Sequence, residues 1–150
     1  MKNLRKTVSN KLLGGIRIML GVIFLMTGTM KLSLAEFGEA WSIQLIEAGI
    51  PFYTLNYWSV PVLEILLGIL LLLGYYSRIG AVTVIPIMLV AIYVHMTVSN
   101  PAAFPAQPQE PYIPIAIIAM ALFVLKKGGG SWSKDMSSGF EFSTMSTNVG

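Results

Sequence analysis

The chain has 150 residues, 55% of them hydrophobic and only 11% charged, with a mean hydropathy of +0.71. That is one domain's worth of residues, and it is too apolar for an ordinary soluble domain. The net charge of +3 does not indicate nucleic acid, because Lys2, Arg5, Lys6 and Lys11 stand directly before the first apolar run, where membrane topology places basic residues. The chain has no cysteine, which excludes dithiol exchange, persulfide chemistry and iron–sulfur ligation by its own side chains.

Four apolar runs predict helices over about 12–32, 55–76, 79–99 and 112–125. The first three reach the ~20 residues that cross a hydrocarbon core of ~30 Å; the fourth does so only if its proline-rich approach also lies at membrane depth. Ser33-Leu34-Ala35 resembles a signal-peptide cleavage site, but the run before it is long for a signal core and reads as a retained helix. In the loop from Ser33 to Thr54, Phe37, Trp41, Leu45 and Ala48 recur at helical spacing, with Glu36, Glu39 and Glu47 on other faces. This predicts a short amphipathic helix ended by Gly49 and Pro51, followed by interfacial rings at Tyr53, Tyr57 and Trp58. The stretch 100–111 is rich in proline and should form a stiff, irregular cap. Residues 128–150 are polar and Gly/Ser-rich, and read as a cytoplasmic tail in which Trp132, Phe140 and Phe142 could bury aromatic surface against a partner.

Lys and Arg counts orient these elements. The N-terminal arm, the turn carrying Arg78 and the exit carrying Lys126, Lys127 and Lys134 are basic, whereas the loops around Glu36–Glu47 and Glu110 carry only acids. The expected architecture is therefore all-α: an integral membrane four-helix bundle over residues 1–127 with both termini cytoplasmic and the short amphipathic helix in the first outer loop.

Ionisable side chains inside such spans are the candidates for function. Gly14, Gly21 and Gly28 recur every seventh residue, with Arg17, Phe24 and Lys31 between them, so all six fall on one face at about 100° per residue. Small residues allow close helix approach and charges avoid lipid, so this face should point inward; Arg17 and Lys31 could alternatively snorkel to opposite surfaces. Glu64 stands near the middle of the second run, where a carboxylate costs ~2.5–3.5 kcal/mol on insertion scales. It needs pairing, protonation or water, and Arg17 is the expected partner. A structural ion pair that fixes register and a proton-handling or ligand-binding carboxylate are both open readings. His95 falls near the outer end of the third run, at a depth comparable to Lys31 and near Glu110, so three titratable groups could converge there. A single histidine without cysteine makes no ordinary zinc site, and haem would need methionine as a second axial ligand, so no metal is expected and haem is disfavoured.

Arg17 with Phe24-Leu-Met-Thr-Gly-Thr-Met-Lys31, Glu64-Ile-Leu-Leu-Gly68 leading to Gly74-Tyr-Tyr-Ser-Arg78, His95, and Gly130-Ser-Trp-Ser-Lys-Asp135 together resemble the DoxX family of small four-helix bacterial membrane proteins. The resemblance implies an inner-membrane protein linked to redox systems. A relative, DoxD, is a membrane subunit of a thiosulfate:quinone oxidoreductase, and DoxX proteins elsewhere associate with oxidative-stress enzymes. The expectation is a subunit of a redox or quinone-linked complex, with Arg17, Lys31, Glu64, His95 and Glu110 as the candidate pocket and quinone as the candidate ligand. The alternatives are a non-catalytic accessory subunit packed against other membrane proteins and, with less support because no internal repeat is evident, a small-solute transporter.

Overall fold

A computed structural model describes residues 7–99 and 110–137. The basic arm residues Lys2, Arg5 and Lys6, the proline-rich stretch 100–109, and Phe140 and Phe142 lie outside the described residues. Among the described residues the regular elements are all helical: α1 (Lys11–Ser33), α2 (Ala35–Glu47), α3 (Tyr53–Leu73), α4 (Ser77–Thr97) and α5 (Tyr112–Lys127).

The helix ends follow local chemistry. The Asn10 side chain accepts from Leu13 N at 3.1 Å and starts α1, a side-chain cap on one of the orphan donors of a first turn. α2 is the amphipathic helix expected in the first loop; it buries Gly38, Trp41, Gln44 and Leu45 and ends at Ala48, before Gly49 at φ 63°. α3 stops at Leu73, short of the expected 76, because Gly74 adopts φ 62° and its N–H turns back to Leu71 O while Tyr75 N bonds Leu70 O. α4 starts at Ser77, earlier than the expected 79.

α1 packs mainly on α3, and α4 on α5, with α1 also against α5. One apolar core is shared among the four, with Leu20 and Phe24 of α1, Leu67 and Leu71 of α3, Val84 of α4 and Ala121 of α5 near its centre. The glycine-bearing face of α1 points inward: Gly14, Arg17, Gly21, Phe24 and Gly28 are all buried. Backbones approach closely here. A Cβ on Gly68 would stand 2.5 Å from Leu25 N, and one on Gly21 2.8 Å from Leu72 N, so only glycine permits this crossing.

α1, α3 and α4 are long and apolar enough to cross a membrane, with mean hydropathies of 1.8, 1.8 and 2.2. Their outer faces present Val22, Met26, Leu66, Ile69, Val82 and Leu89, an apolar exterior suited to lipid rather than water. α5 is apolar but has 16 residues, fewer than a full span needs.

Residues 128–137 do not trail away from the helices. Val8 N donates to Lys127 O (3.2 Å), Ser131 N to Asn10 O (3.1 Å) and Asp135 N to Gly74 O (3.0 Å), so the segment threads between the start of α1 and the α3–α4 turn. Gly130 sits at φ 71°, and a Cβ there would lie 2.4 Å from Gly14 N. Tyr76, which precedes α4, offers no side-chain cap of its own; Asp135 replaces it. Its Oδ1 accepts from Tyr76 N at 2.9 Å, and its Oδ2 accepts from Ser77 N at 2.8 Å and Ser77 Oγ at 2.9 Å. An anion on the first N–H groups of a helix satisfies orphan donors and the helix dipole together, which is why α4 begins at Ser77.

Candidate ligand site

The opposite end, where α2 lies, holds a different cluster. Lys31, in the last turn of α1, donates from Nζ to Glu64 Oε1 at 2.7 Å. The pair is well covered, with side-chain exposures of 13% for Lys31 and 4% for Glu64. The ammonium also sits over the Trp41 ring, 4.4 Å from its centroid, where the negative face of the indole attracts a cation. Trp41 is fixed in turn by α3: its Nε1 donates to Tyr57 O at 3.3 Å, and the Ser42 and Tyr53 hydroxyls share a 2.8 Å hydrogen bond. Glu64 Oε2 is buried and has no hydrogen-bond partner among the described residues.

Beside this pair lies a partly open cavity of about 560 Å³, walled mainly by apolar side chains of all five helices. Thr27, Lys31, Trp41, Gln44, Asn56, Glu64 and His95 are its polar or amphipathic contributors. His95, in the last turn of α4, places Nδ1 2.8 Å from Ala91 O. A carbonyl can only accept, so this contact is a hydrogen bond in the ring form that carries the hydrogen on Nδ1.

Three of the five candidate residues, Lys31, Glu64 and His95, thus line one cavity; Arg17 and Glu110 do not. Glu110 is exposed beside the start of α5, where its carbonyl accepts from Tyr112 N. Arg17 does not pair with Glu64 as expected. Its Nε donates to Gly129 O at 2.8 Å, one terminal nitrogen to Leu71 O and to Leu72 O (2.8 Å), and the other to Ser131 O (3.4 Å) and Trp132 O (3.1 Å). The cause is helix offset. α1 and α3 run antiparallel, and Gly28 stands at the level of Glu64, where an added Cβ would approach Glu64 Cβ to 2.9 Å. Lys31 is one turn from that level, whereas Arg17 is three turns away, roughly 16 Å at ~1.5 Å per residue and beyond the reach of its side chain.

A family model for DoxX matches residues 12–97, more than half of the chain. The chain belongs to the DoxX family. The matched stretch spans α1 to α4 and contains Arg17, Lys31, Glu64 and His95, so this DoxX protein carries its cavity cluster within the family region, while Asp135 lies beyond it. No curated protein and no solved structure matches the chain.

The DoxX cavity combines apolar walls with charge at one end. An ion pair held by one short contact and one aromatic face leaves acceptor capacity on Glu64 and donor capacity on Lys31 for a ligand. Among the described residues no group of three or more His, Cys, Asp or Glu could hold a metal ion. Sequence reasoning missed Trp41 as a site residue, reading it only as the apolar face of α2, and missed Gln44, Asn56 and the capping role of Asp135. Nothing in the local pattern pairs Trp41 with Lys31; the loop between them must first fold back.

Proposed function

We propose that this DoxX membrane protein is a four-span subunit of a redox complex in the bacterial inner membrane and that its cavity binds a quinone-class ligand. The observation that carries the reading is the cavity itself: about 560 Å³ of mainly apolar space, sized for a ring with the start of a tail, with a buried Lys31–Glu64 pair in its wall. Quinone chemistry moves protons together with electrons, and Glu64, Lys31 and His95 are groups able to accept or supply them. With no cysteine in the chain, electrons would pass to or from a partner subunit rather than through dithiols of its own.

α5 serves as the fourth span in this reading. Its 16 residues rise about 24 Å at ~1.5 Å each, a shortfall that local thinning and the snorkelling Lys126 and Lys127 accommodate. The cluster of Lys11, Arg78, Lys126, Lys127 and Lys134 at the end with the α3–α4 turn supports a cytoplasmic side there, and the acids Glu36, Glu39, Glu47 and Glu110 support an outer side at the α2 end.

The test uses the exposed Trp58 and Trp132, both replaceable by Phe, to leave Trp41 as the sole indole in the cavity wall. In lipid nanodiscs, a short-tailed benzoquinone or its quinol should quench Trp41 fluorescence saturably, and Ala91→Phe, which fills the cavity, should abolish the saturable component. Absence of saturable binding by either form would leave the chain as a packing subunit without a ligand.

A further inference from the structure

Glu64 presents an unequal carboxylate. Oε1 takes the Lys31 ammonium at 2.7 Å, while Oε2 is buried and without a partner among the described residues. Glu64 as a residue is 3% exposed, so bulk water does not solvate that oxygen. A buried acceptor left unmade is costly, and a ligand able to donate to it recovers that loss. Glu64 is one of the residues lining the cavity, so a ligand there lies against this side chain, and a turn of the carboxylate is what brings the covered Oε2 to it.

The oxidised and reduced forms of a quinone differ at this point. A quinone offers only carbonyl oxygens, which are acceptors, and one placed against a carboxylate oxygen sets two lone pairs face to face. A quinol offers hydroxyls and donates. The Lys31 ammonium donates to Oε1, and no donor among the described residues reaches Oε2, so the carboxylate keeps that oxygen as an unused acceptor. The Trp41 face occupies another side of the same ammonium, which limits how freely Lys31 can swing to bind a carbonyl.

Building on the quinone-class reading of the cavity, we propose that the unpartnered Glu64 oxygen makes this site selective for the hydroxyl-bearing, reduced quinol over the quinone.

The experiment compares three ligands of one shape on the full-length protein in nanodiscs, with empty nanodiscs subtracted for lipid partitioning: a decyl-tailed benzoquinone, its quinol under anaerobic conditions, and the quinol dimethyl ether, which keeps the ring and removes both donors. The quinol should bind on the order of tenfold more tightly than either of the others, the amount expected of one hydrogen bond to a charged group. Glu64→Gln keeps the side-chain volume but replaces one acceptor by an amide donor, so the preference should shrink or reverse. Equal binding of quinol and quinone, tighter quinone binding, or a preference that survives in Glu64→Gln would overturn the proposal while leaving the quinone-class reading intact, provided Ala91→Phe still blocks binding. Tighter quinone binding would mean that Oε2 carries a proton and donates. If none of the three ligands binds saturably, the quinone-class reading falls, and this proposal with it.

Discussion

Replacing Arg17 by alanine should loosen the end of the molecule that carries the α3–α4 turn without touching the cavity. The guanidinium is fully buried and donates to five carbonyls, those of Leu71, Leu72, Gly129, Ser131 and Trp132. Two of these belong to the last turn of α3, where Leu71 O also accepts from Gly74 N, and three belong to residues 129–132, which form no helix or strand. At the ~0.6 kcal/mol average for hydrogen bonds between membrane segments, five bonds amount to about 3 kcal/mol. The loss expected from deleting one side of a buried charged network is ~3–5 kcal/mol, so the two routes agree near the lower figure. Equilibrium unfolding of the wild type and Arg17→Ala by SDS titration in mixed micelles, followed by circular dichroism, measures the difference. Arg17→Lys should recover less than half of it, because a point charge with three donors cannot span carbonyls arranged around a planar fork. Tryptic cleavage at Lys134 should accelerate in parallel, since the segment it belongs to loses its anchor. A change within ±0.5 kcal/mol with unaltered cleavage would refute the account of Arg17 as the tie between α3 and residues 129–132.

Lys31→Met should destabilise the fold by ~3–5 kcal/mol through the unpaired carboxylate it leaves, while Lys31→Met with Glu64→Gln should recover most of that loss in the same unfolding assay. Asp135→Asn turns one acceptor into a donor facing the start of α4 and should cost about 1–2 kcal/mol, with faster amide exchange at Tyr76 and Ser77. Gly68→Ala should be destabilising by ~1–3 kcal/mol because its Cβ meets the α1 backbone, whereas Gly15→Ala, with nothing within 4 Å, should be neutral or stabilising by up to ~1 kcal/mol; equal effects at the two sites would refute the close α1–α3 crossing. Because the chain lacks cysteine, single Glu39→Cys and Lys134→Cys variants report topology directly: a membrane-impermeant maleimide applied to intact cells should label the first and not the second, and the reverse pattern would invert the orientation.

The packing of residues 128–137 also changes how a truncation reads. Removing everything after Lys127 deletes three acceptors of Arg17 and the cap of α4, so loss of a partner after that cut would not distinguish assembly from a damaged fold. A cut after Ser137 keeps both and tests the remaining tail alone.

Composition and periodicity by themselves determined that the chain is a helical membrane protein, where α1, α3 and α4 run, that an amphipathic α2 stops before Gly49, and that the heptad of glycines on α1 faces inward. These are legible because burial of apolar surface and the cost of charge in lipid act on one helix at a time, at a fixed angle per residue. The partners of the charges were not legible. Glu64 was matched by approximate depth to Arg17, yet it pairs with Lys31, because the glycine contacts at Gly21, Gly28 and Gly68 set the axial offset between α1 and α3. An error of three turns, roughly 16 Å at ~1.5 Å per residue, still leaves both groups within the ~30 Å thickness of a hydrocarbon core but exceeds the reach of a side chain. Asp135 and Ser77, 58 residues apart in sequence, and Trp41 over Lys31 depend likewise on how the connections fold back. Apolar patterning fixes which face of a helix is buried, and only the packed arrangement fixes its height against its neighbours, which decides which polar groups meet.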